Sequence, residues 1–167
     1  LKEHGITAAV LGYPFDTTTI VRTGSSMGPR RVREMSELYI DYHMDYDIDV
    51  STIYKLADVG DVPVKPGDSV ETIRRGVQLY LEILKAGALP VMIGGEHSGP
   101  IIPVHAFKEF TPDKKYGYII FDSHLDSAAD VDGDSNSHCC PVARAVDPGS
   151  FPAEKVVGIG PGGAFQP

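Results

Sequence analysis

Tyr116-Gly117-Tyr118-Ile119-Ile120-Phe121-Asp122-Ser123-His124-Leu125-Asp126 is the stretch on which the fold reading turns. Its first half is a short apolar and aromatic run of the kind that makes a buried strand. Side chains on an extended backbone alternate faces, so Asp122, His124 and Asp126 are predicted to point the same way if the extension persists. Two carboxylates and an imidazole on one face form a metal-site pattern. They also lie at the carboxyl end of the strand, where open α/β sheets bind their ligands. The same residues suit a plainer role, with Asp122 and Asp126 capping the next turn or helix and His124 solvated.

Outward from this strand the chain alternates. Ala8-Ala9-Val10-Leu11-Gly12 reads as a first strand, closed by Tyr13-Pro14, and a Thr-, Ser- and Gly-rich loop runs from Phe15 to Pro29. Pro29 suits a first helical position, and Val32, Met35 and Tyr39 are expected to form a buried stripe. Gly24 and Gly28 lack the Lys and Gly placements of a phosphate-binding loop. Residues 41–51 read as irregular, and Lys55 to Val59 as a strand ending at Gly60-Asp61. Asp68 followed by Glu71 resembles a capping box. Beyond it Val70, Ile73, Val77, Leu81 and Leu84 recur at helical spacing, with Gly87 at the C′ position. Leu89 to Ile93 is a third strand, running into Gly94-Gly95-Glu96-His97-Ser98. A helix is expected from about Pro100–Pro103 to before Thr111, another from the Ser137–Val146 stretch, and a fifth strand over Lys155 to Ile159. Strands alternating with helices predict a parallel α/β sheet.

Composition narrows the function classes. The 167 residues fit one domain, and 42% apolar content is enough for a substantial core. The net charge of −8 argues against a general nucleic-acid binder and mildly favours a cationic ligand. No apolar run reaches membrane-spanning length, and no basic segment with a cleavage site is evident. The two cysteines are adjacent, Cys139-Cys140, and imply no disulfide framework, which suits a reducing cytoplasm.

The Gly94-Gly95-Glu96-His97-Ser98 segment adds a second histidine at a strand end, where two glycines allow a tight turn and close backbone approach. Taken alone, His97 reads equally as a hydrogen-bonded loop residue. Beside Asp122, His124 and Asp126, it makes a four-residue metal-site candidate.

These two segments resemble the first two metal motifs of the ureohydrolases: arginase, agmatinase, guanidinobutyrase and their relatives. The resemblance extends to Gly12-Tyr13-Pro14-Phe15-Asp16, to Arg22-Thr23-Gly24 through Gly28-Pro29-Arg30, to Asp58-Val59-Gly60-Asp61 and to Ser137-His138. It implies an arginase-like, three-layer α/β/α fold with a mostly parallel sheet, and a binuclear Mn²⁺ hydrolase that cleaves a guanidino compound, of the agmatine or guanidino-acid type, to an amine and urea. By the same resemblance His97, Asp122 and Asp126 hold one ion, and His124 with the shared Asp122 holds the other. Ni²⁺, Co²⁺ and Zn²⁺ also suit such ligands. His138 is the candidate for proton transfer to the departing amine or for substrate contact. A cytoplasmic homo-oligomer, trimer or hexamer, follows from the family alone.

Three departures stand out. Glu96 replaces the Asp usual in G-G-D-H-S, and one added methylene is expected to shift the bond that orients His97. Cys139-Cys140 replaces the usual Gly-Thr after the histidine. The third motif, S-x-D-x-D-x-x-D-P, is absent: the last Asp is Asp147 and the last acidic residue Glu154. Residues 1–167 are therefore expected to be the N-terminal portion of a single ureohydrolase domain, incomplete at the C-terminus and inactive in isolation. The competing readings are a non-catalytic or truncated subunit of the same fold, and another metal-dependent amidohydrolase or deacetylase.

Overall fold

A computed structural model describes residues 1–147 and 151–162, which fall into two compact units, Leu1–Glu96 and His97–Pro167.

The first unit is built on three parallel strands in the order β4-β1-β5: β1 (Ala8–Tyr13) lies between β4 (Leu56–Asp61) and β5 (Leu89–Gly94). The alternation of β1 sends Ala9, Leu11 and Tyr13 to one face, where all three are fully buried. Helices α1 (Gly28–Ser36) and α2 (Ser69–Lys85) contact both β1 and β5. On the sheet's other face Leu56 and Leu89 flank Ala8 in register, yet are 60% and 53% exposed.

Helix α2 follows its sequence signals closely. Asp68 accepts the Glu71 N–H at 2.8 Å, which satisfies one of the free amides of the first turn. The Glu71 carboxylate pairs with Arg74 and Arg75, and these two guanidinium groups hold its pKa down at about 2. At the other end Gly87 (φ 77°) donates to Leu84 and Ala88 to Ile83, the paired bonds of a Schellman motif. Ile73, Val77 and Leu81 are buried as their spacing predicts, joined by Tyr80 and Ile83, whereas Val70 is exposed. Full burial of a side chain such as Leu81 is worth about 1.5–3 kcal/mol, and truncating it to Ala costs about 2–5 kcal/mol.

Helix α1 departs from expectation. Pro29 opens it, but Val32, Met35 and Tyr39 are half to three-quarters exposed, and Tyr39 lies beyond the helix end. What ties α1 to β4 is polar. Arg33 donates to Asp58 at 2.5 and 2.9 Å, to Asp61 at 2.6 Å and to the Gly60 carbonyl at 3.0 Å. The irregular 41–51 stretch contains a two-residue hairpin, β2 (Tyr42–His43) with β3 (Ile48–Asp49).

The second unit pairs β6 (Tyr118–Phe121) in parallel with β7 (Val156–Ile159), alongside α3 (Ile101–Phe110) and α4 (Pro141–Val146). Val104, Ala145 and Phe151 form its buried cluster, with Phe107, Tyr116 and Tyr118 packed on it. The Tyr116 ring lies 4.9 Å from Phe107 and 5.5 Å from Phe151, within the range of favourable aromatic pairs. Ile119, Phe121, Val157 and Ile159, by contrast, are 46–79% exposed. Among the described residues no helix is long and apolar enough to cross a membrane.

Candidate metal centre

Strand β6 ends at Phe121, but the Asp122 N–H still donates to Ile159 on β7, at 3.2 Å. The regular ladder then ends and the chain bends at Ser123 and His124, with the Ser123 carbonyl still accepting the Gly162 N–H at 3.1 Å. The bend is built around Asp122, whose Oδ1 accepts the His124 N–H at 2.8 Å. Asp126 follows in the left-handed region (φ 43°), where a short polar side chain is among the few tolerated. The extension therefore does not persist, and alternation is not what gathers the acidic residues. The turn does so.

Within this second unit the turn brings Asp122 and Asp126 to His97. His97 Nδ1 contacts Asp126 Oδ2 and lies 3.5 Å from Asp122 Oδ2. One ligand atom from each of the three residues lies within 4.8 Å of the others, and all three side chains are partly buried. Their electrostatics agree. The hydrogen bond to Asp126 raises the His97 pKa against the opposing effect of burial. The Asp122 carboxyl is held low, first by the His124 N–H. Tyr118 is pushed up to about 12 by burial and then by the charges of Asp126 and Asp122.

His124 stands apart from this trio. It is 76% exposed, and its Nδ1 lies 3.1 Å from Asp122 Oδ1. The two oxygens of Asp122 thus face different imidazoles, Oδ2 toward His97 and Oδ1 toward His124. One nitrogen and two carboxylate oxygens around a common point fit a hard or borderline divalent cation.

The Ser137-His138 turn belongs to a loop closed on the same segment. Ala128 N–H donates to the Cys139 carbonyl at 3.0 Å, and Val142 N–H, in the first turn of α4, donates to the Asp126 carbonyl at 3.0 Å. Ser137 is buried; its Oγ lies 3.4 Å from His138 Nδ1, and Cys139 Sγ lies 3.4 Å from Nε2. His138 is partly exposed on a loop just before a helix start, as its sequence position predicts.

In the first unit, Gly94-Gly95-Glu96 is zipped to the end of β1. Gly95 N–H donates to Tyr13 at 2.7 Å, and Glu96 N–H donates to Phe15 at 2.9 Å. The Glu96 carboxylate accepts from Thr18, at 2.9 Å from its N–H and 2.5 Å from its hydroxyl. Sequence reasoning assigned neither Thr18 nor Tyr118 a role. Nothing in Thr17-Thr18-Thr19 marks the middle residue as the partner of a carboxylate 78 positions away.

The fold is that of a parallel α/β protein with an imidazole and two carboxylates gathered just past a strand end, a group that could hold a cation. The family model for the arginase family matches residues 6–165, and the chain belongs to that family. It is 35% identical over 139 residues to the N(1)-aminopropylagmatine ureohydrolase of Thermococcus kodakarensis, covering 82% of this chain and 46% of the relative. It superposes on the proclavaminate amidino hydrolase of Streptomyces clavuligerus with a TM-score of 0.87 at 27% identity, covering 96% of this chain and 53% of that one. It also matches Trypanosoma cruzi formiminoglutamase, solved with Mn²⁺, with a TM-score of 0.85 at 23% identity, covering 96% and 54% of the two chains. The arginase-like three-layer α/β/α class follows from these matches. The chain spans about half the length of the curated relatives it matches.

Proposed function

We propose that this chain is the N-terminal portion of a single ureohydrolase domain, whose complete protein hydrolyses a guanidino compound of the agmatine or guanidino-acid type to an amine and urea. The observation that carries the reading is the convergence of His97, Asp122 and Asp126 within 4.8 Å of one another.

In this reading His97, Asp122 and Asp126 hold one divalent ion, and His124 with the second oxygen of Asp122 contributes to another. A bound Mn²⁺ pair supplies the Lewis acidity that makes water a competent nucleophile toward an unreactive guanidinium carbon. The remaining work falls to the chain. The Asp122 and Asp126 carboxylates offset cationic charge, that of the guanidinium included. The bend at Ser123 and His124 holds Asp122 so that each oxygen serves a different partner. His138, flanked by Ser137 and Cys139, passes a proton to the departing amine nitrogen. Mn²⁺ is the ion named in the Trypanosoma cruzi structure, and it suits mixed imidazole and carboxylate donors. The reading extends to a homo-oligomer in a reducing cytoplasm, which suits the free thiols of Cys139 and Cys140.

After Asp126 the chain holds no S-x-D-x-D-x-x-D-P motif. We propose that the 167 residues alone bind one ion and are inactive, because the carboxylates that complete a second shell are missing. The test is urea release with added Mn²⁺ from agmatine, guanidinobutyrate, guanidinopropionate and arginine. It compares the 167-residue chain with a chimera that continues into the second half of the Thermococcus kodakarensis relative. Mn²⁺ binding by each is followed by electron paramagnetic resonance. Urea from the chimera and none from the short chain is expected. Robust turnover by the short chain overturns the account of the missing carboxylates. A folded, Mn²⁺-loaded chimera that releases no urea from any of the four overturns the assigned reaction.

A further inference from the structure

We propose that Glu96 is a positioning residue: its buried carboxylate locks residues 16–24 to the turn that leads into His97, and so sets how tightly His97, Asp122 and Asp126 hold a cation. The proposal rests on the metal reading above and adds a residue that lies outside the ligand set.

The argument starts from what Glu96 does with its charge. The side chain is 7% exposed, and both of its oxygens are engaged by one residue, Oε2 by the Thr18 N–H and Oε1 by the Thr18 hydroxyl. A carboxylate taken from water needs such compensation, and bonds to a charged acceptor are the stronger kind. The grip falls midway along a loop that is already closed elsewhere. Asp16 Oδ2 accepts from Gly24 at 2.6 Å and Ser26 at 3.1 Å, and the Thr19 hydroxyl donates to the Asp16 carbonyl at 2.8 Å. Between these fastenings the tip is open, with Ile20 65% and Val21 96% exposed and Arg22 exposed beside them.

Length decides which residue can hold Thr18. Aspartate at position 96 would draw the carboxylate back by one methylene, about 1.5 Å, which carries bonds of 2.5 and 2.9 Å past hydrogen-bonding range. Glutamine keeps the reach: its oxygen accepts the Thr18 N–H, and its NH₂ donates to the hydroxyl. The departure from the usual G-G-D-H-S thus has a local use, a carboxylate that reaches the 16–24 segment. Because Glu96 is bonded directly to His97, slack at Thr18 becomes slack in the imidazole. Partners of this kind commonly change metal affinity by about 10–100-fold.

The test uses the 167-residue chain with Glu96→Asp, Glu96→Gln and Thr18→Val, each checked for an unchanged circular dichroism spectrum. Two quantities are read: the rate of tryptic cleavage after Arg22, which tracks the open population of the loop, and the Mn²⁺ dissociation constant by electron paramagnetic resonance. Glu96→Asp is expected to speed cleavage and weaken Mn²⁺ binding, each by about 10-fold. Thr18→Val, which keeps the N–H bond, is expected to do so less, and Glu96→Gln to stay within about 2-fold of wild type. Wild-type cleavage in Glu96→Asp overturns the lock. Faster cleavage with unchanged Mn²⁺ affinity overturns the positioning role. Failure of the wild type itself to bind Mn²⁺ overturns the metal reading and the positioning role with it, and is recognised by its independence of residue 96.

Discussion

Gly95→Ala tests how closely two stretches of main chain approach at the end of β5. A Cβ on Gly95 would collide with the Phe15 carbonyl oxygen and sit 2.9 Å from both the Phe15 nitrogen and the Tyr13 oxygen, where ordinary contact begins at 3.4 Å. All three atoms are backbone, so no side chain can swing aside. Relief requires the strands' ends to part, which breaks the 2.7 Å Gly95–Tyr13 and 2.9 Å Glu96–Phe15 bonds. At about 1 kcal/mol net for each bond, and about 1–3 kcal/mol for overpacking, the loss is roughly 3–5 kcal/mol. That is a large share of the ~5–15 kcal/mol that stabilises a typical domain. For a chain of this size it lowers the melting temperature by about 10 °C. Gly94→Ala is the internal control, since a Cβ there meets nothing nearer than the Glu96 carbonyl at 3.8 Å. Thermal melts followed by circular dichroism should show Gly95→Ala strongly destabilised and Gly94→Ala close to wild type. Equal melting of the two variants would refute the close-approach argument.

Arg33→Met removes the cation that faces Asp58 and Asp61 and should destabilise the chain by about 1 kcal/mol at neutral pH, read from urea unfolding. Arg33 holds the Asp58 carboxyl below its usual value. Its contribution is therefore fully present above about pH 4 and is lost as pH falls through the lower folded value, so the gap between wild type and variant should narrow in acid. Asp122→Asn should weaken Mn²⁺ binding to the 167-residue chain by at least about 10-fold, against less than about 3-fold for His124→Asn, because His124 lies outside the three-residue group; equal losses in titration calorimetry would show the two histidines sharing one ion. Gly87→Ala forces a Cβ into the left-handed C′ position at φ 77° and should cost about 1 kcal/mol in the same unfolding assay.

Much of this arrangement could be read from residue order, because the signals involved are local. The cap at Asp68, the Gly87 stop and the strand runs each depend on neighbours a few positions away, and the structure places them where expected. The candidate ligands were legible as types of residue at strand ends. Their geometry was not, because Asp122 and Asp126 reach His97 through a bend and a left-handed Asp126 rather than through strand alternation. Long-range choices were equally hidden. The order β4-β1-β5 puts the first strand in the middle, and no periodicity in Ala8–Tyr13 announces two parallel neighbours. Val32 and Met35 obey helical spacing yet are exposed, since spacing specifies a face and says nothing of what stands opposite it. The Thr18–Glu96 pair spans 78 positions and has no local signature at all.

The uncovered strand face of the second unit bears on how this polypeptide behaves in a tube. Ile119, Phe121, Val157 and Ile159 present a wet, oily wall of neighbouring strands, the type of surface that binds fluorescent apolar dyes and recruits holdase chaperones. Such a wall favours self-association as the protein concentration rises, because crowding copies together trades water for neighbours. Titrations with Mn²⁺ therefore belong at low micromolar protein, with light scattering recorded alongside, so that turbidity is not mistaken for ligation.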